Sequence, residues 1–213
     1  MEIEAKFAID DDGLWRKYHE CARIGAYRLG VTREYSIMDD YLDTTEQAIR
    51  CAGYYLRVRS RDGERRVTIK SAQSAQMRFS VREEIEFPLF ADAEDVSNWV
   101  NREAAALISP LLRGNALRPS VQLRQQRAER PVHHGGHSVA TMGLDSVQVW
   151  QAGELLDDFR VLEFELARTA DMNVLVEISA VLVEDGLTPQ PVAKLNRALA
   201  AVELTRKGAR DVA

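Results

Sequence analysis

Two short segments carry carboxylates at a spacing that would set them side by side on a strand. Glu2, Glu4 and Lys6 alternate with Ile3, Ala5 and Phe7, and Glu163 and Glu165 alternate with Leu162, Phe164 and Leu166. Successive side chains of a strand point to opposite faces, so each segment has one charged and one apolar face. Two carboxylates about 6.6 Å apart on one face repel each other unless a cation joins them. One such segment is an ordinary exposed strand; two in one chain point to a divalent metal.

The basic residues are sorted in the same way. Arg57 and Arg59 oppose Leu56 and Val58, and Thr68 and Lys70 oppose Val67 and Ile69. Arg82, Glu84 and Glu86 oppose Val81, Ile85 and Phe87, with Glu83 out of step; Arg124 lies opposite Leu123, and Arg127 has the other parity. A sheet packed on one side and wet on the other alternates similarly. Such a wet face usually mixes signs and carries many small polar residues, whereas here same-sign pairs recur on separate segments. An enclosed polar face fits this sorting better. Convergent Arg and Lys side chains suit a polyanion, and planar guanidinium matches phosphate oxygens. The carboxylates would repel that ligand unless divalent cations lay between them, and an oxygen-only donor set favours Mg²⁺ or Mn²⁺. No glycine-rich phosphate loop occurs, so any phosphate must be held by side chains.

The elements that position these groups are short and mostly extended. The alternation and turn residues predict strands over 36–42, 54–60, 65–70, 79–87, 121–128, 137–142, 145–150 and 161–167, besides the first. Asp62-Gly63 reads as a hairpin turn. Helices are predicted after Asp10 to Asp12 as far as Gly25, over 92–107, and over 174–184 and 192–202 near the C-terminus. These make an α+β fold of eight or nine largely antiparallel strands with helices inserted and appended. The 213 residues, 46% of them hydrophobic, read as one domain, 1–213, with C-terminal helices over about 171–202. A net charge of -5 argues against a general nucleic-acid binder. Cys21 and Cys51 make neither a disulfide framework nor a zinc site. With no long apolar run and no signal-peptide pattern, no membrane association is expected, and a cytoplasmic setting is the default.

On these residues the chain resembles the CYTH, or triphosphate tunnel metalloenzyme, family. Glu2-Ile3-Glu4-Ala5-Lys6 matches its opening Glu-x-Glu-x-Lys. The later pieces follow in the family's order: Tyr41-Leu42-Asp43-Thr44, Leu56-Arg57-Val58-Arg59, Val67-Thr68-Ile69-Lys70 and Arg82-Glu83-Glu84-Ile85-Glu86. Leu117-Arg118-Pro119 to Arg127, Leu144-Asp145-Ser146-Val147, Leu162 to Leu166 and Ala193-Lys194-Leu195 complete the match, from residue 2 to about residue 199. The segment around Arg118 to Arg127 is most similar to bacterial members of the type often paired with a helical CHAD domain.

The resemblance implies a closed eight-stranded antiparallel β-barrel, a triphosphate tunnel, with helices packed outside. It implies Mg²⁺ or Mn²⁺ held by Glu2, Glu4, Glu163 and Glu165. Arg57, Arg59, Lys70, Arg82, Arg124, Arg127 and Lys194 would hold phosphate oxygens. Lys6 would bind phosphate or assist the attacking water, and Glu84 and Glu86 would form further acidic wall, one of them placing water. Hydrolysis of a small linear triphosphate, foremost inorganic triphosphate to pyrophosphate and phosphate, is the expected activity. Adenylate cyclisation of ATP and polyphosphate binding without turnover are the alternatives, and the oligomeric state, a homodimer included, is left open. Other notable residues have plainer readings. His133, His134 and His137 mark a hairpin loop or interface, Trp15, Trp99 and Trp150 pack, and Asp39, Asp40 and Asp43 belong to the turn that follows them.

Overall fold

A computed structural model describes residues 2–71, 80–90, 92–190 and 192–210, with the side chains of 80–82 and 206–210 excepted. In chain order the elements are β1 (Glu2–Ala8), α1 (Asp12–Glu20), β2 (Arg23–Ile24), β3 (Tyr27–Leu29), β4 (Arg33–Asp43), α2 (Ala48–Cys51), β5 (Tyr54–Arg61) and β6 (Glu64–Ser71). There follow β7 (Ser80–Arg82), β8 (Glu84–Pro88), a 3₁₀ turn (Val96–Asn98) and α3 (Arg102–Leu112). The second half holds β9 (Arg118–His134), β10 (His137–Gln151), β11 (Glu154–Leu166), α4 (Asn173–Glu184), β12 (Thr188–Pro189) and α5 (Lys194–Arg210). The α+β, antiparallel expectation holds. None of the described helices is long and apolar enough to cross a membrane.

The strands form one antiparallel sheet in the order β12-β1-β11-β10-β9-β4-β5-β6-β8, with β7 also on β1. The segment from residue 80 to 88 touches both ends of that order. Glu2 to Glu4 pair with Arg82 to Ser80, while Arg66 to Lys70 pair with Pro88 to Glu84. Glu83, the residue out of step in the sequence pattern, is where the strand changes partner, so the predicted single strand 79–87 is two; residue 79 itself lies outside the described residues. Because β7 and β8 each reach only one neighbour, the described hydrogen-bond ladder does not close into a continuous barrel.

Two other expectations are corrected. The strands predicted over 137–142 and 145–150 are one strand, β10, running straight through Gly143. The helix predicted over 92–107 is a 3₁₀ turn and a separate α3. Asp95 accepts from Ser97 N and Asn101 from Ala104 N, and these two side chains satisfy backbone donors at two separate helix starts. The β9–β10 hairpin turns on Gly135 and Gly136, both at positive φ, where glycine carries no steric penalty. His134 flanks that turn and packs on Tyr27, ring centroids 5.1 Å apart.

Period-two alternation divides each strand between two environments. Phe7, Leu162, Phe164, Met142 and Leu144 face outward and are covered by Tyr18 of α1 and by Leu175, Ile178 and Leu182 of α4. Leu56, Val58, Val67, Ile69 and Phe87 face outward beneath Trp99 and beneath Ala104 and Ile108 of α3. The third cluster differs: Leu123, Val147, Val149 and Val161 have the parity of the charged residues on their strands, and they pack against Leu195, Ala198 and Val202 of α5. Thus α5 covers part of the inner face, whereas all helices were expected outside. Its approach is set by β12, whose Pro189 and Thr188 pair with Phe7 and Ala8, and by Gln190 N donating to Lys6 O at 2.8 Å.

Candidate active site

The remaining inner face lines a polar cavity of about 610 Å³. Among the described residues Lys6, Arg57, Arg59, Arg66, Lys70, Arg127, Arg168 and Lys194 share it with Glu2, Glu4, Asp39, Glu84, Glu86, Glu129, Glu163 and Glu165, eight of each sign. The pairs are close. Lys70 Nζ lies 2.7 Å from Glu2 and 3.2 Å from Glu84, and Lys6 Nζ lies 2.6 Å from Glu4 and 3.6 Å from Glu163. Arg66 Nε donates to Glu86 at 2.7 Å.

Two buried acids organise the rest. Asp145 accepts two hydrogen bonds of 2.7 Å from Arg127 and one of 2.7 Å from Lys194. Both bases continue to Glu163, at 2.8 and 2.7 Å. Asp39 takes Arg59 through two bonds of 2.7 Å and a third 2.7 Å bond from Gln125, with Arg57 3.7 Å away. Arg57 also donates to Thr68 at 3.0 Å, while its buried Nε has no partner among the described residues.

These contacts set the ionisation of the walls. Burial alone would raise the Glu163 carboxyl, but Lys194, Lys6 and Arg127 hold it well below the usual carboxylate range. Burial likewise opposes the charge on Glu2 and Asp39; Lys70 outweighs it at Glu2, and Arg57 and Arg59 outweigh it at Asp39, so both titrate low. Arg57 is pushed up despite burial, chiefly by Asp39. Glu165 goes the other way. Desolvation of its carboxyl, although part of the side chain is exposed, and the charges of Glu2 and Glu4 raise it to about 7.

Of the residues singled out in the sequence, Glu2, Glu4, Lys6, Arg57, Arg59, Lys70, Glu84, Glu86, Arg127, Glu163, Glu165 and Lys194 come together here. Arg82 pairs through its backbone with Glu2, and its side chain lies outside the described residues. Arg124 is not brought to the cavity. It is exposed on the opposite face of β9, its guanidinium 4.3 Å from the Trp150 ring centroid, because β9 keeps strict alternation and only the parity of Arg127 points inward. Asp39 is likewise corrected: it belongs to the cavity, and Asp43 alone serves the turn by accepting from Thr44, Ile49 and Arg50 N. Asp145, Gln125 and Glu129 were not assigned roles from sequence, although each shares the inward parity of its strand.

The donor set fits an oxygen-coordinated divalent cation held jointly with phosphate. Among the described residues no three acidic or histidine groups converge into a preformed cage. Desolvation, joined by the negative charges of Glu2 and Glu4, nevertheless raises Glu165, and a cation would relieve the repulsive part of that cost.

Among solved structures the chain is similar to HpAC1 from Hippeastrum, assigned as an adenylyl cyclase and described as having a dominant triphosphatase activity. That likeness has 17% identity, covers 94% of this chain and 96% of the other, and has a TM-score of 0.66. It is also similar to PH1819 from Pyrococcus horikoshii OT3 (18% identity, 94% and 99% covered, TM-score 0.58) and to bh2851 from Bacillus halodurans, assigned as an adenylate cyclase (16%, 92% and 96%, 0.58). These likenesses establish a shared fold. No curated protein matches the sequence. The family model for the CYTH domain matches residues 1–180. With that match over most of its length, and with the ordered acidic and basic strands that first suggested it, the chain belongs to the CYTH family.

Proposed function

We propose that this protein hydrolyses a linear triphosphate with Mg²⁺ or Mn²⁺, foremost inorganic triphosphate to pyrophosphate and phosphate. The observation that carries this reading is the cavity's balance, among the described residues, of eight basic and eight acidic side chains. A highly charged polyanion entering a balanced cavity must bring counter-cations, and the acids supply places for them.

Arg57, Arg59, Lys70, Arg127 and Lys194 take the phosphate oxygens, with Arg82 joining them from its place opposite Glu2. As they do, Lys70 turns from Glu2 and Lys194 from Glu163, while Arg127 keeps Asp145 and Glu163 and offers Nη1. Glu2, Glu4, Glu163 and Glu165 would hold the metal. When bound, the metal lowers the pKa of water and neutralises charge on the leaving group. Glu165 would hold the metal as its carboxylate. Lys6, between Glu4 and Glu163, holds a terminal phosphate oxygen or steadies the water, and Glu84 or Glu86 orients that water for in-line attack. The guanidinium groups gain most as charge spreads over the transferring phosphoryl group. We read the chain as one domain forming a tunnel, acting on a small soluble substrate in the cytoplasm.

The test is phosphate release from inorganic triphosphate, ATP and thiamine triphosphate, with Mg²⁺ or Mn²⁺ and Glu4→Gln as control. Metal-dependent release lost in the variant supports the reading. Cyclic AMP formed from ATP, or tight binding without release, would replace it with cyclisation or a binding module.

A further inference from the structure

Gly143 sits in the middle of β10 on the inward face, opposite Glu129 of β9 and Glu163 of β11. It makes no turn and has no positive φ, so conformational freedom does not explain a glycine there. Its surroundings do. A Cβ at this position would lie 3.2 Å from Arg127 Cζ and 3.3 Å from both Nε and Nη2.

The path of Arg127 explains that closeness. Arg127 stands on β9 in register with Asp145 of β10, yet its Nη2 also reaches Glu163 on β11, at 2.8 Å. Adjacent strands lie about 4.8 Å apart, so the Arg127 and Glu163 side chains together span two strand spacings and meet over β10. The meeting point is Gly143. A methyl group there would stand under the guanidinium and require it to shift by a few tenths of an ångström, loosening its bridge between Asp145 and Glu163. The glycine also costs free energy in a strand interior, where it packs no side chain.

We propose that Gly143 is a positioning residue for triphosphate binding: its bare backbone is the berth that lets Arg127 bridge Asp145 and Glu163 and so fixes the guanidinium against the cavity wall. The inference rests on the reading of the cavity as a triphosphate site. Arg127 held by two carboxylates on two strands is oriented before the ligand arrives, which reduces the ordering cost on binding.

The experiment compares Gly143→Ala, Arg127→Ala and the double variant by calorimetric titration with inorganic triphosphate and Mg²⁺, and by thermal melting without ligand. Gly143→Ala is expected to weaken binding roughly tenfold, the scale of one hydrogen bond to a charged group. In the Arg127→Ala background the same change should leave affinity unaltered and melting unaltered or raised, since the strand is relieved of a glycine. An equal loss with Arg127 absent, or unchanged binding in Gly143→Ala, would overturn the proposal. If Gly143→Ala alone fails to fold, normal melting of the double variant supports the berth, and failure of both refutes it. Should the wild-type protein bind no triphosphate, the functional reading fails, while the melting comparison still decides whether Arg127 is what Gly143 accommodates.

Discussion

Asp39 holds Arg59 through two hydrogen bonds of 2.7 Å, at a carboxyl only 1% exposed. Arg57 and Gln125 gather around the same group, so one buried acid orders the basic wall of the cavity. Asp39→Asn keeps the shape and removes the charge. Leaving a buried guanidinium uncompensated costs about 3–5 kcal/mol. A fall in melting temperature together with weaker triphosphate binding is expected, and circular-dichroism melting plus titration would check both.

Glu165 should give the cavity a pH response in the absence of metal. Its ordinary value is 4.5 and its folded value about 7, so between these the folded state keeps a proton that the unfolded chain has released. Stability therefore declines as pH rises through that window and levels off above it. Mg²⁺ competes with the proton, so its stabilising effect should grow across the same range. Melting curves at several pH values, with and without Mg²⁺, would show this, and Glu165→Gln should remove the pH-dependent difference.

The two arginines of β9 should behave in opposite ways. Arg127→Ala breaks the contacts with Asp145 and Glu163 and is expected to reduce phosphate release by at least roughly 100-fold. Arg124→Ala removes a stacking contact with Trp150, worth about 0.5–1 kcal/mol at an exposed site, and a hydrogen bond to Gln122, both on the far face. Its kcat/KM should match that of the unsubstituted protein. Parallel steady-state assays of the two variants are sufficient.

Tyr18 tests packing apart from chemistry. Its hydroxyl donates to Asp185, tying α1 to the end of α4 on the outer side of the sheet. Tyr18→Phe should cost about 1.5–3 kcal/mol, the range for a hydrogen bond to a charged group. The melting temperature should fall while phosphate release at 25 °C stays unchanged.

Much of this site was legible because a strand reports its faces by simple alternation. Glu2, Glu4, Arg57, Arg59, Glu163 and Glu165 could be sorted from the sequence, and Glu83 already stood out where the strand later changes partner. What depended on distant partners was hidden. Gly143 looked like a turn because its reason, the passage of Arg127, lies on another strand. Asp39 was masked by the adjacent Asp40 and by the turn residue Asp43. Lys194 was reached only through the resemblance, within Ala193-Lys194-Leu195. Its entry depends on β12 pairing with β1 and on α5 lying against inner-face residues, neither of which any local pattern encodes.

The most direct measurement follows the products of inorganic triphosphate by phosphorus NMR, with Mg²⁺ or Mn²⁺ and with the metal chelated. One phosphate and one pyrophosphate per triphosphate, formed only with metal and abolished by Glu4→Gln, is the predicted result. Triphosphate that stays intact with metal present, or cleavage that persists in Glu4→Gln, would contradict the account.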